Sequence, residues 1–328
     1  MQVTHGFVKP GGGPVALTIG NFDGVHRGHR AMLERLAQMA RRLKMPCSVL
    51  TFEPHASEFF ASANAQARSS EPPTRLTRLR EKLELIAEMG VDRVHVLRFD
   101  ARLAALAADR FIEDVLVRGL GVRCLLVGRD FRFGAKRGGD FLMLEAAARG
   151  GAGGQGFELE AMPDVLDGSA AGSQRVSSSG VRSALAAGDL AGAARLLGRD
   201  YTMSGRVAHG EKLGRTLGFP TANIVLRRTP PLAGIFAVEA ELEETHEVMR
   251  GVASVGRRPT VKENAPPLLE VHLFDWDGAH DKLLYGRHLR VKFLRKLREE
   301  KKYDGLDALR SAIGQDVAQA KDYFRKHG

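Results

Sequence analysis

Between residues 15 and about 161 the chain alternates short apolar runs with stretches of helical spacing. The runs 15–20 (VALTIG), 47–52 (CSVLTF), 94–99 (VHVLRF) and 123–128 (RCLLVG) read as strands. The segments 28–44, 77–89 and 103–118 between them read as amphipathic helices; in the second, Leu79, Leu83 and Ile86 fall at i, i+4 and i+7. This alternation predicts right-handed crossovers and a parallel sheet. A Gly-rich loop at 150–156 and a helical segment at 178–197, broken at Gly188-Asp189, come next. Then the period becomes two: 203–209, 235–242, 248–255, 268–274 and 288–294 read as strands without intervening helices, an antiparallel barrel or sandwich. A last helix at 305–326 places Leu306, Leu309, Ile313, Val317 and Phe324 on one side. The chain thus divides into an α/β module, 1–186, and a β module with a terminal helix, 187–328.

Length agrees with that division, since 328 residues suit two domains. No run nears the ~18 apolar residues of a membrane span, and MQVTHGFVKPGGG has no apolar signal region, so a cytoplasmic, non-membrane protein is expected. Cys47 and Cys124 lie in apolar runs without CxxC spacing, which excludes a disulfide framework or a thiolate zinc site. Net charge is +10, which points to anionic partners, either nucleic acid or small phosphorylated molecules. Residues 1–186 hold 25 basic and 20 acidic side chains and 187–328 hold 24 and 19, so the excess is not a basic tail.

Ligands of open parallel sheets gather outside the carboxyl ends of the strands. The first strand ends in Gly20-Asn21-Phe22-Asp23-Gly24-Val25-His26-Arg27-Gly28-His29 and opens a helix. Glycines expose backbone N–H groups there, and a helix N-terminus favours negative charge. His26 and His29, one turn apart, suit the charge that builds on a phosphate during transfer, as hydrogen-bond donors rather than nucleophiles. The alternatives are a metal site, for which only Asp23 adds an adjacent ligand, and ordinary turn chemistry. At 175–182 (RVSSSGVR), Ser177, Ser178 and Ser179 precede a helix carrying Arg182, which reads as an N-cap or as the far wall of a triphosphate pocket.

Residues 20–29 resemble the HxGH-type signature of the nucleotidyltransferase superfamily, and 176–182 its ISSTxxR-type partner. With TFEPH (51–55) and VGRDFRFGAKRGGD (127–140), they are similar to the adenylyltransferase module of bacterial bifunctional riboflavin kinase/FAD synthetases. The resemblance implies a Rossmann-like nucleotidyltransferase domain that binds ATP through residues 20–24, His26, Gly28, His29, Ser177–Ser179 and Arg182. It implies a flavin pocket at Asp130, Phe131 and Phe133. Ser179 stands where that family usually has threonine, Ala56 where proline often follows TFEPH, and Asp200 where GRPY is usual.

In the second half, His209–Asn223 (HGEKLGRTLGFPTAN) is a Gly-rich loop closing on an extended PTAN. It offers backbone donors with Lys212 and Arg215 to phosphates, but it is not a Walker A loop, because no Gly-Lys dipeptide occurs in the chain. Thr221 and Asn223 alternate, so both oxygens face one side and suit a hard cation such as Mg²⁺. Read alone, the segment would more often be a surface loop between strands. GRTLGFPTANI resembles the ATP- and metal-binding motif of riboflavin kinases, and 251–261, 268–278 and 284–309 match that module too.

The resemblance implies ATP binding by Gly210, Lys212, Gly214, Arg215, Pro220, Thr221 and Asn223, with Mg²⁺ on Thr221 and Asn223. It makes Glu270 the base for riboflavin's 5′-hydroxyl and gives Arg298 a place in the kinase site. FMN would then be adenylylated to FAD between cationic walls made by His26, His29, the serines and Arg182. The basic run 287–302 holds eight Lys/Arg, and its one aromatic, Phe293, is in the apolar register, which argues against nucleic acid. Small molecules are the expected partners, with homo-oligomerisation left open. Two rivals remain: a one-step adenylyltransferase with a flavin-binding second half, and a non-catalytic nucleic-acid or regulatory flavin-binding protein.

Overall fold

The computed structural model describes residues 1–6, 13–63, 73–150, 156–168, 172–210, 213–256, 266–274, 276 and 284–327. It contains two compact units: Met1–Pro73 with Thr77–Ser177, and Thr74–Leu76 with Ser178–Gly328.

The first unit runs β1 (Gln2–His5), β2 (Val15–Ile19), α1 (Arg27–Leu43), β3 (Cys47–Glu53), α2 (Ala56–Ala63), α3 (Leu79–Ala87) and β4 (Arg93–Arg98). There follow α4 (Ala101–Ala104), α5 (Ala108–Arg110), a π-helix (Phe111–Gly119), β5 (Val122–Gly128), α6 (Phe141–Ala148) and β6 (Glu158–Met162). The sheet is wholly parallel in the order β1-β4-β3-β2-β5-β6. β2 is buried throughout because both faces are covered. Leu17, Leu50 and Leu125 pack with the π-helix and α6, while Ala16, Val49 and Val94 pack with α1 and α3.

All four expected strands are present, and two edge strands join them. β1 and β6 are partly exposed, so they lack the apolar run that marks a central strand. Glu158 and Glu160 of β6 instead pair with Arg42 and Arg35 of α1. The single helix expected at 103–118 is divided. Ala107 is extended (ψ 154°), which ends one helical turn and starts the next. Both cysteines are buried, and burial pushes their thiols up, Cys47 to about 12 and Cys124 to about 11.

In the second unit α7 (Ser178–Ala186) and α8 (Leu190–Leu197) meet at the expected break, where the Asp189 carboxylate caps α8 by accepting from Gly192 N–H at 2.8 Å. Next come β7 (Thr202–Ala208), α9 (Leu213–Thr216), β8 (Ala222–Val225), β9 (Gly234–Leu242), β10 (Glu247–Gly256), β11 (Leu268–Leu273), β12 (His288–Arg298) and α10 (Leu306–His327). The strands close a barrel in the order β10-β11-β8-β7-β12-β9, which decides between barrel and sandwich. The sixth strand, β8, has four residues, too short for its alternation to register in the sequence.

The interior is filled by such residues as Phe236 and Phe293, edge to face at 5.3 Å. α10 covers part of the outer face, packing Ala320 and Phe324 on Ile235, Ala237 and Val252. Arg298 locks it there through both oxygens of Asp316, at 2.7 and 2.6 Å. Much of the basic run is paired in the same way: Lys292 with Glu239 at 2.7 Å, Arg290 with Glu243 at 3.2 Å and Lys296 with Glu299 at 2.5 Å. Arg295 lies over the Tyr323 ring at 5.9 Å. Among the described residues no helix is long and apolar enough to cross a membrane.

Phe293 is 1% exposed and touches rings on two sides, Phe236 and Tyr201. Phe293→Ala should therefore cost about 3–5 kcal/mol, read as a lower midpoint for the barrel's transition in urea.

Candidate active sites

In the parallel sheet the chain moves from β2 outward through β3 to β4, then returns to the other side of β2 with β5. The crossovers on either side of this point leave a crevice at the carboxyl ends of β2 and β5. The segment 20–29 follows β2 and the segment 129–140 follows β5. Phe22, Gly24 and Val25 have φ of 48°, 82° and 39°, so the turn carries two bulky residues in the left-handed region. Phe22 and Asp23, both expected at the ATP, support the turn from inside. Phe22 is fully buried, and the Asp23 carboxylate accepts from Thr77 N–H at 3.1 Å and its hydroxyl at 3.3 Å. Thr77 Oγ1 in turn accepts from Gly24 N–H at 3.0 Å.

His26 is the N-cap of α1. Its Nδ1 accepts from His29 N–H at 3.3 Å, which leaves Nε2 to carry a proton. The two imidazoles stack at 3.6 Å. A Cβ at Gly28 would meet the His26 ring at 3.2 Å, so a larger residue would crowd the pair. His29 Nδ1 is buried without a partner among the described residues. Its pKa is held well below the usual 6.5 by desolvation first, then by His26 and Lys82. Burial beside other cationic groups disfavours a charge on this ring.

No sequence signal singles out Lys82, and His55 stands out only as the end of TFEPH. Lys82 is fully buried on α3, with Nζ 3.3 Å from His55 Nε2 beyond the end of β3. Glu58 Oε2 accepts from His55 N–H at 3.0 Å. The exposed Phe60 meets Phe59 and Phe99 ring to ring at 5.4 and 5.8 Å, an aromatic platform also missed. The expected flavin residues after β5 differ in position. Asp130 is exposed and paired with Arg175 at 2.8 Å, and Phe131 is half-buried. Phe133 is a core residue, 7% exposed, stacked on Phe131 at 5.5 Å.

Ser177 belongs to the first unit, while Ser178, Ser179 and Arg182 begin α7 in the second. Arg182 Nε donates to Thr74 O at 2.6 Å, and the side chain lines a groove with Ser183, Ala186 and residues 230–233.

In the barrel unit, Gly210, Arg215, Pro220, Thr221 and Asn223 line one pocket together with Trp276 and Tyr285. The latter two were not foreseen, although both lie in strings that carried the resemblance. Gly214 sits in α9, outside that lining, and Lys212 lies outside the described residues. A Cβ on Gly210 would meet the Asn223 amide at 2.5 Å, so this glycine admits the close approach of loop and strand. Asn223 Nδ2 donates to Thr221 O at 3.2 Å, while its Oδ1 is buried with no partner among the described residues. A buried acceptor left open beside a hydroxyl fits a hard cation.

Glu270 is directly opposite Asn223 on one side and Ser254 on the other. Its strand neighbours Leu269 and Val271 fill the interior, so these three polar side chains share the outer face. Glu300 Oε1 accepts from Ser254 Oγ at 3.2 Å on that face. Arg298 is committed to Asp316. Among the described residues no group of three His, Cys, Asp or Glu comes together to hold a metal.

Residues 11–180 match the family model of FAD synthetase and 197–324 that of riboflavin kinase. A protein of Escherichia coli (strain K12), described as a bifunctional riboflavin kinase/FMN adenylyltransferase, is 48% identical, over 94% of this chain and 92% of its own. One of Pseudomonas fluorescens with the same description is 46% identical, over 98% and 97%. A crystal structure described as a macrolide-efflux protein from Streptococcus pneumoniae covers 96% of this chain and 97% of its own, with a TM-score of 0.75 at 24% identity. That likeness concerns the fold alone.

The neutral His29 makes stability depend on pH. The unfolded chain protonates this ring near 6.5 and the folded chain resists, so below that pH the unfolded state binds more protons. Stability falls as pH falls from 6.5 towards 5, by at most about 1.4 kcal/mol per pH unit for one proton. His29→Gln should flatten the decline of the first unit's urea midpoint over that window.

Proposed function

Because the chain belongs to the family of bifunctional riboflavin kinase/FMN adenylyltransferases, we propose that two separate sets of its side chains run the two reactions, one in 1–186 and one in 187–328. The chain phosphorylates riboflavin with ATP to FMN and adenylylates FMN with a second ATP, giving FAD and pyrophosphate. Its partners are these small molecules, and we place them in the cytoplasm. The pairing of the basic run with neighbouring carboxylates and rings supports the exclusion of nucleic acid.

In the kinase module Glu270 takes the proton from the 5′-hydroxyl as riboflavin's oxygen attacks the γ-phosphorus of ATP. The observation that supports this reading is the register of Glu270 between Asn223 and Ser254. Thr221 and Asn223 would hold Mg²⁺, which when bound neutralises charge on the phosphate oxygens. Gly210, Lys212, Gly214, Arg215 and Pro220 bind the ATP. Arg298 acts through Asp316, by fixing the end of β12 to α10.

In the adenylyltransferase module the FMN phosphate attacks the α-phosphorus of ATP and pyrophosphate leaves; no covalent enzyme intermediate is needed. His26 and His29 donate to phosphate oxygens at the first turn of α1, whose free amides and dipole add to the same charge stabilisation. Gly20, Asn21, Gly24 and Gly28 give the backbone approach. Ser177–Ser179 and Arg182 bind ATP in the same step. The isoalloxazine rests against aromatic side chains beyond β3 and β5, Phe60 and Phe131 with Asp130 at the rim.

His29→Ala should lower FAD formation by about 10²-fold or more and leave FMN formation intact. Glu270→Ala should lower FMN formation by about 10²–10⁴-fold, with supplied FMN still adenylylated. Chromatography of the products settles both, and loss of both activities in either variant would contradict separate sites.

A further inference from the structure

The ladder between β8 and β11 ends at the pair Ala222–Val271. The next residues of the PTAN segment, Thr221 and Pro220, have no strand pairing. Proline also has no N–H with which to extend a ladder. A side chain makes the next attachment. His272 Nδ1 lies 2.9 Å from Pro220 O, and since a carbonyl oxygen only accepts, Nδ1 carries the proton.

Strand alternation explains why His272 is available. Leu269, Val271 and Leu273 fill the barrel, so Glu270 and His272 stand side by side on the outer face. The His272 ring is held edge to face by Phe219 at 5.3 Å and by Phe274 at 6.2 Å. The turn is also tied back towards α9, by Phe219 N–H to Gly214 O at 2.7 Å and Gly218 N–H to Arg215 O at 3.1 Å. His272 thus links the outer face of β11 to this turn by a hydrogen bond.

We propose that His272 is a positioning residue of riboflavin phosphorylation: by donating to Pro220 O it fixes Thr221 and Asn223 against the strand that carries Glu270. One strand thereby sets the base and the ATP-binding turn in a single frame. Burial and the Lys321 ammonium of α10 keep the ring neutral against the pull of the carbonyl, so the tautomer is stable near neutral pH. The inference rests on the assignment of Thr221 and Asn223 to the ATP and metal site.

The test compares His272→Phe, which keeps an aromatic ring and loses the donor, with His272→Asn, which loses the ring and keeps an amide N–H near Nδ1. One hydrogen bond of about 1 kcal/mol corresponds to roughly fivefold. His272→Phe should raise KM for MgATP about fivefold in FMN formation, with KM for riboflavin unmoved. His272→Asn should recover most of that loss. Adenylylation of supplied FMN serves as the control in the same samples, and thermal unfolding reports the barrel.

A purely packing role gives the reverse order, with His272→Phe near wild type and His272→Asn impaired, and that result would overturn the proposal. Should His272→Phe not fold, a KM for MgATP raised as much in His272→Asn as in His272→Leu overturns it as well. Asn223→Ala separates the two levels of the argument. If that variant leaves MgATP dependence unchanged, the site assignment fails; if it raises KM while His272→Phe does not, only the role of His272 fails.

Discussion

A charged or unpaired polar group cannot sit inside a filled sheet without a large desolvation cost, and both units of this enzyme are organised by that exclusion. The parallel sheet is covered on two faces, so its polar turns lie beyond the carboxyl ends of β2, β3 and β5. The barrel is filled with side chains, so the polar row Asn223–Glu270–Ser254 lies on its outer face. Closure of the barrel makes that row rigid. A slip of one residue in β11 would send Glu270 into the core and bring Val271 out.

The same exclusion governs charge. Two phosphate-transfer sites would be expected to collect cations, yet burial disfavours a charge on His29 at the first turn of α1. Lys82, buried against His55, adds a positive field there that itself opposes protonation of His29. Many of the basic side chains pair with carboxylates instead. Residues of 287–302 hold α10 and neighbouring strands in place through Asp316, Glu239 and Glu243, a use that counting Lys and Arg does not distinguish from ligand binding.

What the sequence discloses follows from which physical signal each feature leaves. Central strands such as 123–128 are apolar throughout and were read within a residue or two. Edge strands β1 and β6 have polar sides and left no run. His26, His29, Thr221 and Asn223 were legible because glycines, turn residues and strand ends agree around them. Trp276 and Tyr285 reach their pocket from distant segments, and Lys82 reaches His55 from 27 residues away, so no local spacing announces them. Phe133 shows the opposite error: an aromatic in a suggestive motif that packs into the core. Arg298 was placed at the kinase site by motif, and its guanidinium is taken up by Asp316, 18 residues further on.

The central claim is that one chain uses two ATP molecules differently, transferring the γ-phosphoryl group of one and the adenylyl group of the other. Riboflavin incubated with ATP carrying distinguishable labels on its α- and γ-phosphorus, followed by separation of the flavins, tests it most directly. The account predicts FMN with the γ label alone and FAD with one α and one γ label. FMN bearing the α label, or FAD bearing only the α label, would contradict it.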